Sequence, residues 1–303
     1  MRVCLMIEGQ EDVSWDDWLA LADACERHGL EGLFRSDHYL GIVGGRAGAA
    51  HDAWATLAAL AARTSRIRLG TLVSPVTFRH PAVLARMAVT ADHVSNGRIE
   101  VGIGAGWYEA EHEAHGFAFP PIRERFDKLE ADAEAIVRAW TEDDRAQPKP
   151  VQRPHPPLIV GGSAKPRGAR LAARFAQEYN TVFATAEDCR ERRSRLDVAC
   201  LAVGRDPATL PLSLMTGVVV GRTPDEARER GRRLYEHVGG LGDLDNWLAE
   251  RGEVSLIGTV DEVAARLREL EAAGVTRVML QHLDHRDLET VAVIGAELAP
   301  ALA

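Results

Sequence analysis

Asp37-His38 closes a short apolar run, Leu30 to Phe34 with Arg35-Ser36 behind it, and places a titratable pair at the end of an expected strand. A histidine in that position can serve as acid, base or hydrogen-bond donor near neutral pH, and the same placement also suits a structural histidine bonded to a neighbouring loop. Gly102-x-Gly104-x-Gly106 precedes Trp107 at another strand end, where missing Cβ atoms let a flat ligand lie on the backbone. A dinucleotide fingerprint would need glycine at Trp107 or Glu109, so a nicotinamide Rossmann site is excluded by spacing. Gly161-Gly162-Ser163-Ala164-Lys165-Pro166-Arg167-Gly168 follows an apolar run, opens a helix at proline and carries two cations; exposed amides at a helix start suit a phosphate. A plain glycine-rich strand-to-helix loop is the competing reading. Glu111-His112-Glu113-Ala114-His115 has its histidines three apart where a zinc-binding HExxH needs four, and it reads as a solvated helix face. The first strand has no H-x-H pair, so no metal site is expected.

The elements that position these residues centre on Arg66 to Trp107. Arg68 to Val73 is an apolar, β-branched strand that ends irregularly in Leu72-Val73-Ser74-Pro75. Pro81 opens a helix with Val83, Leu84, Met87, Ala88 and Ala91 on one face, Asn96-Gly97 stops it, and Ile99 to Ile103 is the next strand. A parallel pair joined by a helix brings both strand ends to one side. Further strands are expected at Val3 to Ile7, Leu30 to Phe34, Leu158 to Val160, Asn180 to Ala184, Leu212 to Val220 and Val275 to Leu280, with helices between them. Three loops stand out: glycine-rich Gly41 to Gly48, Thr141 to Pro157 with five prolines, and Gly239 to Ser255, read as irregular insertions. Eight short strands alternating with helices give an α/β fold, a (β/α)8 TIM barrel with insertions spanning 1–303 as one domain; an open doubly wound sheet would favour a single switch point. The catalytic rim would carry Glu8, Asp37-His38, Leu72-Val73-Ser74, Ala105-Gly106-Trp107, Gly161-Gly162-Ser163, Thr185, Gly221 and His282.

The 303 residues, 46% of them hydrophobic, suffice for a large core, and a net charge of -9 argues against nucleic-acid binding through a basic field. No apolar run reaches the length of a membrane span, and no signal-peptide pattern opens the chain. Cys4, Cys25, Cys189 and Cys200 form no CxxC pair and read as buried reduced thiols, so a cytoplasmic location is expected.

Taken in order, Arg35-Ser36-Asp37-His38, the run Gly70 to Pro81, Asn96-Gly97-Arg98, Gly102 to Trp107 and Gly161-Gly162-Ser163 resemble the luciferase-like monooxygenase superfamily, most closely its actinobacterial branch that uses the deazaflavin coenzyme F420. The resemblance implies a barrel with a tricyclic cofactor at its C-terminal face and a non-proline cis peptide at Leu72-Val73 beneath the middle ring. It implies that Asp37, His38, Leu72, Val73, Ser74, Gly104, Ala105, Gly106 and Trp107 line the cofactor, and that Gly161, Gly162, Ser163 and Ala164 take its phosphate. His38 would be the catalytic proton source, acting on an unidentified small-molecule substrate within a homodimer. The sugar-phosphate dehydrogenases of that branch carry an acidic residue where Trp107 stands here, so a flat apolar substrate fits better than a sugar phosphate. An FMN-dependent monooxygenase fed by a separate reductase, and a non-catalytic cofactor-binding barrel, are the alternatives.

Overall fold

Apolar runs too short for helices are separated by amphipathic segments with strong caps, and this alternation closes into a barrel. The computed structural model describes residues 1–43 and 48–302. Its strands are β1 (Arg2–Ile7), β2 (Gly32–Arg35), β3 (Arg68–Thr71), β4 (Ser74–Pro75), β5 (Ile99–Gly104), β6 (Leu158–Gly161), β7 (Glu178–Val182), β8 (Leu212–Gly221), β9 (Leu256–Thr259) and β10 (Val275–Gln281). The order β1-β2-β3-β5-β6-β7-β8-β10 returns to β1 with every pairing parallel. β4 continues the line of β3 against β5, and β9 pairs with the outer part of β8 from Val218 to Gly221, so eight staves make the closed (β/α)8 barrel.

The helices are α1 (Trp15–Arg27), α2 (Ala53–Arg63), α3 (Pro81–Ser95), α4 (Glu109–His115), α5 (Ile122–Thr141), α6 (Pro166–Phe175), α7 (Ala186–Ala202), α8 (Pro224–His237), α9 (Leu244–Gly252), α10 (Val260–Ala272) and α11 (Leu288–Val293). Reciprocal caps start three of them: Ser14 with Asp17, Thr185 with Asp188 and Thr259 with Glu262. Proline at the first turn starts α3, α6 and α8. Left-handed Asn96 ends α3 at the expected place.

Alternation along each strand divides the core in two. On β1, Val3, Leu5 and Ile7 face the helices, while Cys4 and Met6 join Phe34, Leu72, Ile159, Met215 and Met279 inside the barrel. All four cysteines are buried and free. Below that apolar plug the floor is ionic. Arg277 donates to Glu100 at 2.6 Å and 3.0 Å and to Glu178 at 2.8 Å, and Arg68 pairs with Glu100 from the side. Burial alone would raise Glu100, but Arg277 and Arg68 overcome it and bring the carboxyl down to about 2. Glu178 goes the other way, because its burial outweighs its share of Arg277.

Some expectations are corrected. Gly239 to Ser255 is not irregular throughout: Asp243 caps α9, whose Leu244, Trp247 and Leu248 recur at helical spacing. Val83 faces outward while Ala85 and Val89 turn inward on α3. β7 starts two residues before Asn180, and β2 starts two residues after Leu30. Of the loop Gly41 to Gly48, residues 44–47 lie outside the described residues.

Replacing Arg277 with leucine removes the one guanidinium shared by Glu100 and Glu178, leaving Glu100 to Arg68 and Glu178 to the more distant Arg2, and is expected to cost about 3–5 kcal/mol of stability in urea denaturation at neutral pH. Because Glu100 is depressed, its contribution is present above about 4.5 and lost as pH falls toward 2, so the gap between wild type and variant narrows in acid. A loss under about 1 kcal/mol would mean that the floor is solvated rather than ionically closed.

Candidate active site

The rim is built around an extra residue in the third stave. Gly70 lies opposite Glu100 and Ser74 opposite Ile103, so one strand advances four residues while its neighbour advances three. The Leu72-Val73 peptide within this bulge is cis. Glycines on β5, and on β6 beyond that strand, make room for it. A Cβ on Gly102 or Gly104 would stand 2.8 Å from a Val73 methyl, and one on Gly161 would stand 3.2 Å away. Gly102 is doubly required, since its Cβ would also collide with the Thr71 carbonyl oxygen.

Polar contacts fix the bulge to β2. Ser74 Oγ donates to Asp37 Oδ2 at 2.6 Å and accepts from Trp54 Nε1 at 3.1 Å. Arg79 grips both Asp37 oxygens, at 2.6 Å and 3.1 Å, and reaches Tyr39 Oη and Asp52 Oδ2 at 2.8 Å and 2.7 Å. Asp37 is therefore buried and fully occupied as a scaffold, and His38 beside it is the half that reaches the mouth.

His38 meets a partner that sequence pattern alone places in solvent. Glu111 on α4 is only 1% exposed; its Oε1 lies 2.7 Å from His38 Nδ1 and its Oε2 accepts the Tyr39 amide at 3.1 Å. A carboxylate can only accept, so the proton sits on Nδ1. Burial pulls His38 downward, but the hydrogen bond and charge of Glu111, with Glu8 and Asp37 behind them, outweigh it and hold the imidazole above its ordinary value. Nε2 has no partner among the described residues. The ring packs edge-on to Trp107 at 5.8 Å and to Tyr108 at 6.2 Å, and those two rings stack on each other at 5.2 Å. Trp107 is 62% exposed and forms one side of the opening.

The solvated-face reading of Glu111 to His115 thus fails at its centre. His112 is buried too: Nδ1 lies 2.7 Å from the Tyr108 carbonyl oxygen and Nε2 lies 2.7 Å from Thr77 Oγ1. Phe78 and Phe119 pack on its ring at 5.1 Å and 4.6 Å. His112 anchors α4, and the anchored helix aims Glu111. No periodicity in Glu-His-Glu-Ala-His marks this, because α4 is short and its inner face is polar.

At the fifth stave, the Gly162 amide donates to the Asn180 carbonyl at 2.9 Å and the Ala164 amide to Tyr179 Oη at 2.8 Å, which leaves Gly162 and Ser163 exposed at the loop tip. Of the two cations expected there, Arg167 turns back to Glu130 and Asp127 on α5, while Lys165 is exposed. Three other rim residues have structural work instead. Thr185 caps α7, Gly221 makes room for the α8 backbone at Ala227, and His282 lies buried with Nε2 3.1 Å from the Asp287 carbonyl oxygen. Burial brings His282 down to about 4.

The profile of the luciferase-like monooxygenase family matches residues 2–277. The chain belongs to that family. Its members are oxidoreductases and monooxygenases that use flavin or F420. Three mycobacterial proteins described as uncharacterized are 38% identical over 143 residues, 43% of this chain and 49% of theirs, so the chain spans about half the length of these curated relatives. An FMNH2-dependent dimethylsulfone monooxygenase from Pseudomonas putida is 26% identical over 96% of this chain and 89% of its own. An F420-dependent glucose-6-phosphate dehydrogenase from Nakamurella multipartita is 36% identical over 55% of this chain and 52% of its own. Among solved structures, the monooxygenase RslO1 from Streptomyces bottropensis superposes with a TM-score of 0.82 at 27% identity, with full coverage of both chains.

Glu111→Gln is expected to lower the His38 titration midpoint, followed by NMR of the imidazole and assigned with His38→Ala. Because the folded value is raised, the wild-type pair stabilises fully below about 6.5 and that contribution is lost as pH rises through the folded value. The variant should lack this alkaline loss. An unchanged midpoint would show that Glu111 does not set the charge of His38.

Proposed function

We propose that the chain is an F420-dependent oxidoreductase that moves hydride between the deazaflavin and a small organic substrate, with His38 exchanging the accompanying proton. The observation that carries this reading is the His38–Glu111 pair at the mouth: Nδ1 is committed to a buried carboxylate, and Nε2 has no partner among the described residues. Proton exchange with a substrate therefore runs through Nε2. Glu111 favours the protonated imidazole, which can donate a proton in the reducing direction, and the reverse reaction returns the proton to the same atom.

The residues fit a flat ring system. The Leu72–Ser74 bulge would form its floor, Gly104, Ala105, Gly106 and Trp107 its flank, and the exposed tip at Gly162 and Ser163, with Lys165, the place for its phosphate, Gly161 being packed by Val73 and Ala164 buried. When bound, the deazaflavin supplies a two-electron hydride donor or acceptor. The Trp107–Tyr108 stack keeps water from one side of His38 and offers a flat apolar wall to the substrate. The partial match to F420-dependent glucose-6-phosphate dehydrogenases supports this cofactor. FMN-dependent monooxygenation is the second reading, favoured by the alignment with dimethylsulfone monooxygenase along 96% of the chain. A cytoplasmic homodimer of one barrel domain over 1–303 belongs to the same proposal.

Titration with F420 and with FMN, followed by tryptophan quenching, decides between the cofactors; tight FMN binding without F420 binding would remove the first reading. With F420 bound, His38→Ala is expected to slow hydride transfer about 10²–10⁴-fold while leaving cofactor affinity nearly unchanged. Absence of turnover with any acceptor in the wild type would point to a cofactor-binding barrel without catalysis.

A further inference from the structure

The outer part of β8, β9 and α9 form a wall on the same rim as His38, since parallel staves place all their C-terminal ends together. Against this wall lies an open cleft of about 410 Å³, lined by Phe183, Trp247, Glu250, Arg251, Val254 and Ser255. A smaller cavity shares Arg251 and Ser255 and continues inward to Gly217 and Gln281. Gln281 in turn donates to Glu8 at 2.6 Å, and Glu8 acts on His38 through its charge. The wall and His38 thus stand at the same end of the barrel.

Two polar groups in that wall lack partners among the described residues. Ser255 is 3% exposed, and its Oγ makes no hydrogen bond there. A buried hydroxyl without a partner is costly unless a ligand or water meets it. The half-buried Arg251 guanidinium stacks on Trp247, 5.1 Å from the ring centroid, and among the described residues it has neither a hydrogen-bond acceptor nor a carboxylate within 4 Å. Glu250 lines the cleft but does not reach it. Burial lowers Arg251, and no neighbouring acid opposes that shift. Arg230, on the next helix back, has Glu226, Asp287 and the Val220 carbonyl oxygen.

We propose that Arg251 and Ser255 form the anion-binding end of the substrate pocket, and that the substrate is a small organic acid. Its carboxylate or sulfonate would lie between the guanidinium and Ser255 Oγ, with a flat apolar body along Trp247 and Phe183. Arg presents a planar fork of donors that matches an oxyanion, and the Ser255 hydroxyl adds a neutral donor beside it. A Cβ at Gly217 would sit 3.0 Å from Ser255 Oγ, so glycine there leaves the hydroxyl uncrowded from behind. This inference rests on the hydride-transfer reading for its destination at His38, but the anion site itself can be tested without turnover.

The test is calorimetric titration of the full chain with benzoate, benzenesulfonate and the neutral benzamide, in wild type, Arg251→Gln and Ser255→Ala. At least one acid is expected to bind about tenfold or more tightly than benzamide, Arg251→Gln should abolish that preference, and Ser255→Ala should reduce it. F420 and FMN affinities should be the same in Arg251→Gln as in wild type. Equal binding of acid and amide, binding of neither acid, or a preference that survives Arg251→Gln would overturn the proposal. So would a loss of cofactor affinity in Arg251→Gln with acid binding unchanged, which would assign the cation to the cofactor's own anionic tail. Acid preference in a protein that binds no F420 would leave the anion site standing and remove only the cofactor reading.

Discussion

A single valine fills the volume that three neighbours leave empty. Val73 cannot occupy its place over β5 and β6 unless positions 102, 104 and 161 carry no side chain; Gly104 and Gly161 meet nothing but Val73, while Gly102 is also held small by the Thr71 carbonyl oxygen. This steric exchange creates the bulge, and the bulge directs the polar network around it. It turns Ser74 toward Asp37, Asp37 then needs Arg79, and Arg79 ties in Tyr39 and Asp52. His38 projects from the rim that this network stiffens.

The second level of organisation is electrostatic. A histidine buried alone would be pushed toward neutrality. Here α4 supplies Glu111, and α4 is held by a second histidine whose ring lies between Tyr108, Thr77 and two phenylalanines. One imidazole serves packing while the other presents its Nε2 at the mouth. Their environments, rather than their residue type, assign the roles.

The staves were legible because each is a short apolar run bounded by glycine, proline or a capping residue, and the small residues at 102, 104 and 161 marked a close approach. The glycines at 102 and 104 read as room for a flat ligand, and only the fold shows Val73 in that space. Glu111 was illegible: in a run of alternating acids and histidines, nothing local tells a solvated carboxylate from one directed at a residue 73 positions away. α9 was legible in principle, since Asp243, Leu244, Trp247, Leu248 and Gly252 spell cap, face and stop, but its glycine-rich approach masked the pattern. Arg251 and Ser255 became visible only through what they fail to touch. Unmet hydrogen-bonding capacity is a property of three-dimensional geometry and not of composition.

The ionic floor constrains how the barrel can be rearranged. Arg277 comes from the last stave, Glu100 from the fourth and Glu178 from the sixth, so the charge balance is distributed across the whole circumference. Cutting the chain after the fourth stave and joining either half to a foreign one would separate Glu100 from Arg277, leaving Glu100 with only Arg68 and Arg277 with only Glu178. Chimeras of this scaffold will tolerate exchanged loops at the mouth far better than exchanged staves, unless positions 100, 178 and 277 travel as a set.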